Sequence, residues 1–90
     1  MYIKLVNIDS DVAMKIYEKH SVMPEEIKKV LIEDKAIFKK VGSKQYIAVG
    51  IWNRYLTMFF SYEDKSKEAS ITTAYHSSMR QIRSYRRMVK

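Results

Sequence analysis

The hydrophobic period of this chain switches at Ala36 from helical to alternating, and that switch limits what it can fold into. Before it, apolar residues recur every three or four positions: Val12 or Ala13, Ile16, Tyr17 and His20, then Ile27, Val30 and Leu31. After it they alternate, through Ile37 to Val41, Gln45 to Ile51 and Arg54 to Tyr62. Three-and-four spacing buries one stripe of a helix and alternation buries one face of a strand, so helices must lie against a sheet.

The punctuation between these segments supplies the order. Tyr2 to Val6 reads as a short strand with Ile3 and Leu5 on one face. Asp9, Ser10 or Asp11 can cap a first helix that ends near His20-Ser21. Pro24 suits the first position of a second helix, with Glu25 and Glu26 at the positive end of its dipole and a stop around Glu33 to Lys35. Gly42-Ser43 and Trp52-Asn53 are turns, and Glu63 to Glu68 is a hairpin loop before a last strand, Ala69 to Ala74. In Arg54 to Tyr62, Leu56, Met58 and Phe60 oppose Tyr55, Thr57 and Phe59; both faces are apolar enough for a central strand. Ser77 or Ser78 caps a closing helix with Met79, Ile82, Tyr85, Met88 and Val89 along one side and Arg80, Arg83, Ser84 and Arg87 along the other. The expected order is β-α-α-β-β-β-β-α, in one domain over residues 1–90.

Composition narrows the class. At 90 residues and 47% hydrophobic content the chain can bury a small core, which argues against disorder. No apolar run approaches the ~20 residues that cross a bilayer, and the first residues lack the apolar stretch of a secretory signal, so the reading is cytoplasmic. With no cysteine, disulfides and thiolate metal sites are excluded. His20 and His76 are the only histidines and form no metal-ligand spacing, so no metal or cofactor is expected.

Charge is the feature that points to a partner. Tyr75 to Lys90 carries Arg80, Arg83, Arg86, Arg87 and Lys90 with no acidic residue, and supplies +5 of the net +7. A cationic ridge of this kind attracts polyanions and releases their counterions, the electrostatic footprint of nucleic-acid contact. Acidic membrane surfaces and acidic proteins would be attracted too.

Several segments carry a resemblance to a known family. Asp9 with Asp11, then Glu18-Lys19-His20-Ser21-Val22-Met23-Pro24-Glu25-Glu26, resembles the opening of the BrnT-type toxins, where an acidic capped helix runs into Lys-His-Gly-Val and a second acidic helix start. Arg54-Tyr55-Leu56 is similar to that family's Gly-Arg-Leu-Leu, and Ile71-Thr72-Thr73-Ala74 before a basic helix ending in Tyr85 is similar to its Ile-Ser-Ala-Arg…Tyr close. The resemblance implies an α+β, RelE-like fold with a mainly antiparallel sheet packed against helices. It also implies a type II toxin of the RelE/ParE superfamily: a metal-independent endonuclease of messenger RNA, on or off the ribosome, neutralised by a cognate antitoxin protein. Three positions depart from the family pattern: Tyr75 stands for its arginine, Gln81 for its glutamate and Ser21 for its glycine.

Cleavage without metal uses the RNA 2′-hydroxyl as nucleophile, so the protein must align it, stabilise the phosphorane and supply a proton to the leaving 5′-oxygen. Arg54, Arg80 and Arg83 are the expected phosphate clamps, because a guanidinium donates a bidentate fork. His76 is the expected proton carrier and Tyr75 a proton donor or base-stacking ring, both beside the start of the closing helix. Arg80, Arg83, Arg87 and Lys44 are the expected nucleic-acid contacts, on one concave surface shared by the ridge and the sheet. The bland readings stand beside these: a solvated basic face, an Arg54 paired with Glu63 or Asp64 across a hairpin, a structural His20 and a core Tyr85. Two further functions remain open, a toxin-fold module that binds nucleic acid without cutting and a protein-interaction subunit. An edge strand at Ile37 to Val41 also offers pairing to a second copy or to the partner.

Overall fold

The computed structural model describes residues 1–32 and 36–89; the expected stop of the second helix at Glu33 to Lys35, and Lys90, lie outside them. Eight elements follow the expected order: β1 (Leu5–Asn7), α1 (Ser10–His20), α2 (Pro24–Ile32), β2 (Ile37–Lys40), β3 (Gln45–Ile51), β4 (Tyr55–Glu63), β5 (Glu68–His76) and α3 (Met79–Met88). The strands form one sheet in the order β1-β5-β4-β3-β2, antiparallel except for the β1–β5 pair. β4 is central, as its two apolar faces required.

One face of the sheet carries the core. Ala48, Leu56, Met58, Phe60, Ala69, Ile71 and Ala74 meet Ile16 of α1, Ile27, Val30 and Leu31 of α2, and Val22 between the helices. Phe60 is fully buried, stacked on Tyr46 at 5.9 Å and edge-on to Phe38 at 6.1 Å. Ile71 and Ala74 both face this core although they are three residues apart. The register slips between Phe59 and Phe60, so that Phe59 faces Thr73 and Phe60 faces Ile71, leaving Thr72 as the extra residue of a β-bulge. α3 lies across the other face, with Tyr85 edge-on to Tyr55 at 5.8 Å.

Four local expectations change. The face of the first strand is wrong by phase: Ile3 and Val6 are buried and Leu5 is 50% exposed. The chain bends at Lys4, where the N–H groups of Lys4 and Leu5 both donate to the Lys67 carbonyl, and alternation restarts after the bend. Tyr17 is exposed, because α1 packs along β5 and fully buries only Ile16. β5 runs on to His76, past the expected end at Ala74, because Leu56 and Thr57 of β4 still pair with His76 and Tyr75. Finally, the apolar side of α3 is mostly uncovered: Tyr85 is buried and Ile82 half-buried, while Met79, Met88 and Val89 stay exposed.

Candidate functional site

Arg54 enters β4 at the same sheet end where β5 leaves, and there it meets the junction of α1 and α2. Its Nε donates to Glu26 Oε2 at 2.9 Å and its Nη2 to Glu26 Oε1 at 2.8 Å, a bidentate pair. Nη2 also donates to the Ser21 carbonyl at 2.6 Å, and Nη1 lies 3.2 Å from His76 Nε2. A guanidinium only donates, so His76 Nε2 accepts and the other ring nitrogen carries the proton. One Nη1 proton of Arg54 has no partner here. The arginine is therefore first a clamp between sheet and helices, with a single donor left over. Its partner is Glu26, in place of the Glu63 or Asp64 considered from sequence.

Glu26 was legible only as a helix-dipole carboxylate. It follows Pro24 by two residues, and its Oε1 also accepts from Met23 N–H at 3.1 Å, closing the first turn of α2. The Arg54 hydrogen bonds hold its carboxyl below the ordinary value of 4.5; burial opposes them, while the Met23 N–H and the charges of Arg54 and His76 assist.

Tyr75 and His76 are neighbours on a strand, so their side chains leave it on opposite faces. His76 joins Arg54 on the side of α2, whereas Tyr75 points to the side of α3. There Gln81 Nε2 donates to the Tyr75 hydroxyl at 3.2 Å, and Gln81 Oε1 accepts from Thr57 Oγ1 at 2.9 Å and from Ser78 N–H at 2.8 Å. Thr57, fully buried, spends its proton on Gln81 and so accepts from Ser77 Oγ at 2.7 Å. Ser78 completes a capping box by accepting from Gln81 N–H. The Tyr75 ring also lies 6.3 Å from Phe59 and 6.0 Å from His20. His20 is thus half-buried against an aromatic ring at the edge of β5.

The remaining predicted contacts do not converge on Arg54 and His76. With Gln81, Ile82 and Tyr85 turned inward, Arg80, Arg83 and Arg87 fall on the outward side of α3, exposed and, among the described residues, without hydrogen bond or ion pair. The ridge and the sheet therefore do not form one concave surface through these guanidinium groups. Arg86 lies against the sheet, its guanidinium 5.6 Å above the Tyr55 ring and its Nε donating to the Tyr55 hydroxyl. Lys44 stands beside Tyr62, whose N–H donates to its carbonyl, and 3.8 Å from Glu63. That is the far end of β4 from Arg54, about 25 Å away at ~3.3 Å per residue.

No protein-family model and no curated protein matches this sequence. Among solved structures, the ribonuclease toxin BrnT of Brucella abortus superposes with a TM-score of 0.68 at 15% identity, over 83% of this chain and 97% of that one. The fold is BrnT-like. Within it, the three departures from the family pattern gain a structural meaning. Ser21, where the BrnT pattern has glycine, closes α1 in the left-handed conformation at φ 55 that glycine adopts most easily. Tyr75 and Gln81, in place of the BrnT arginine and glutamate, are hydrogen-bonded to each other. Among the described residues of this BrnT-like chain, no helix is long and apolar enough to cross a membrane.

Proposed function

We propose that this chain is a toxin-type RNA endonuclease that cuts single-stranded message by attack of the ribose 2′-hydroxyl on the adjacent phosphate. The observation that carries the reading is the Arg54–His76 contact at the rim of a fold shared with a ribonuclease toxin. In this mechanism the spare Nη1 proton of Arg54 holds an oxygen of the reacting phosphate and stabilises the phosphorane, while the outward guanidinium of Arg80 holds a neighbouring phosphate of the same chain. His76 Nε2 exchanges its hydrogen bond with Arg54 for a proton from solvent, the resulting imidazolium gives a ring proton to the leaving 5′-oxygen, and the 2′-hydroxyl proton passes to solvent. Tyr75, around the strand end, stacks on a neighbouring base. The chemistry needs no metal ion.

The test is a gel assay of purified protein on single-stranded RNA, and separately on ribosome-bound message, with and without chelator. Cutting proceeds in chelator, and His76→Ala or Arg80→Ala slows it by well over tenfold, the usual loss for a proton carrier or a phosphate clamp being ~10² or more. Unchanged rates in both variants would remove these residues from the site.

One observation favours a second reading, a module that binds RNA without cutting it. Arg54 already spends its other four N–H donors on Glu26, Ser21 and His76, and Tyr75 stands where the family carries an arginine. Under that reading the affinity for RNA falls steeply with salt while the RNA stays intact. In either case an acidic partner segment, the cognate antitoxin of a type II pair, is the complement of α3, whose outward guanidinium groups lie beside exposed Met79, Met88 and Val89. A cytoplasmic site of action and pairing of a second copy along β2 belong to the same proposal.

A further inference from the structure

β1 pairs only with Glu68 to Ser70 of β5, so from Ile71 onward the outer edge of β5 has α1 beside it in place of a strand. Between them runs a groove of about 270 Å³ lined by Lys15, Lys19 and His20 of α1 and by Thr72 and Thr73 of β5. Three features of this groove fit one ligand. Lys15 and Lys19 are one helical turn apart, about 6 Å along the axis, and neither makes a hydrogen bond or ion pair among the described residues. Asp11 and Glu18 of α1 stand four residues before and three after Lys15, within one helical turn of it, but form no ion pair with either lysine among the described residues. The bulge at Thr72 sets two consecutive threonines along the groove, and a strand edge presents backbone N–H groups without strand partners. Beyond the groove, the Tyr75 ring lies 6.0 Å from that of His20 and 6.3 Å from that of Phe59.

From this combination we infer that the groove between α1 and the bulged edge of β5 carries the single-stranded RNA flank of the substrate. Its phosphates sit on Lys15 and Lys19 and an unstacked base lies against the Tyr75 ring. The inference rests on the nuclease reading for the identity of the chain it binds, and it adds the path by which that chain reaches the rim. Ammonium groups without partners cost nothing to redirect onto phosphates, whereas an aromatic ring at the end of a cationic track receives any base, whatever its sequence. Selectivity for single strands follows, because a duplex keeps its bases stacked inside.

The experiment measures binding of the full chain to a short 2′-O-methylated oligouridine, which lacks the attacking hydroxyl and so reports binding alone, by fluorescence anisotropy across a salt series. The expected result for K15A/K19A is a slope of log K against log salt smaller by about 1.4, two phosphates at ~0.7 each, and an affinity about ten- to thirtyfold weaker at ~0.1 M salt. K39A/K40A, which removes the same charge from β2, leaves the slope within about 0.5 of the unmodified chain. An unchanged slope in K15A/K19A, an equal loss in K39A/K40A, or no salt-dependent affinity of the unmodified chain overturns the groove. The two proposals fail separately. RNA cut at the normal rate with the K15A/K19A slope intact discards the groove and keeps the nuclease, whereas intact RNA with the slope reduced as expected discards the nuclease and keeps the groove.

Discussion

Arg54 shows how a residue expected to grip substrate is first recruited to hold the fold. Its fork spans from the start of β4 to the first turn of α2 and the last carbonyl region of α1, which ties the sheet end to both helices. Glu26 is 13% exposed and Arg54 36%, so the pair is partly desolvated and worth more than a surface ion pair, with a discount for the wetter partner. Glu26→Gln is expected to cost about 1–2 kcal/mol at pH 7, read from urea denaturation. Because the folded carboxyl titrates below 4.5, its contribution is present above that pH and is lost as pH falls through the lower folded value. The stability gap between wild type and variant must therefore shrink as pH falls below 4.5; a gap of constant size would show that charge on Glu26 does not matter. At this scale the sequence was legible in residue type and blind to partner. His76 and Arg54 were read as neighbours in chemistry, but Glu26, Ser21 and Gln81 entered only through contacts across 22 to 33 residues or through one cap.

Elements form where local signals agree and shift where tertiary packing outvotes them. The start of α2 and both ends of β3 stand as read, since Pro24 starts one and the Gly42-Ser43 and Trp52-Asn53 turns bracket the other. Their contact depends on Gly50: a Cβ there would lie 2.6 Å from Val30 Cγ1 and 3.1 Å from the Ala36 backbone. Val30 can shift only by leaving the core, and Ala36 backbone cannot yield cheaply. Gly50→Ala is thus expected to destabilise by about 1–3 kcal/mol through overpacking, measured by chemical denaturation with the same slope; a neutral variant would mean that α2 slides freely on β3. The bulge at Thr72 had no sequence signal, because bulge formation follows from how β4 and β5 curve together. The exposed Met79, Met88 and Val89 of α3 teach the same lesson: an apolar stripe shows what a helix can bury, and only the neighbour's shape decides how much it does.

At the scale of the whole molecule, positive charge is distributed over separate surfaces: the outward side of α3, the groove beside α1 and, far off, Lys44. Charges that face open solvent act at a distance, through the rate of encounter. R83Q/R87Q is therefore expected to slow RNA association by about tenfold at low salt and hardly at all at ~0.5 M, where screening has removed the steering field; stopped-flow mixing reads both. An equal loss at both salts would place those side chains in direct contact with RNA. Taken alone, the sequence determined the element order, the central place of β4, the BrnT-like resemblance and the excess of positive charge, because periodicity, turn residues and net charge are local properties that survive without coordinates. The tertiary structure alone decided which residues share a face. It parted Tyr75 from His76, joined Arg54 to Glu26, turned Arg80, Arg83 and Arg87 away from the sheet, and set Lys15 and Lys19 beside the open edge of β5. Each of these follows from strand alternation, helix rotation or a bulge, geometric choices made only when one element packs against another.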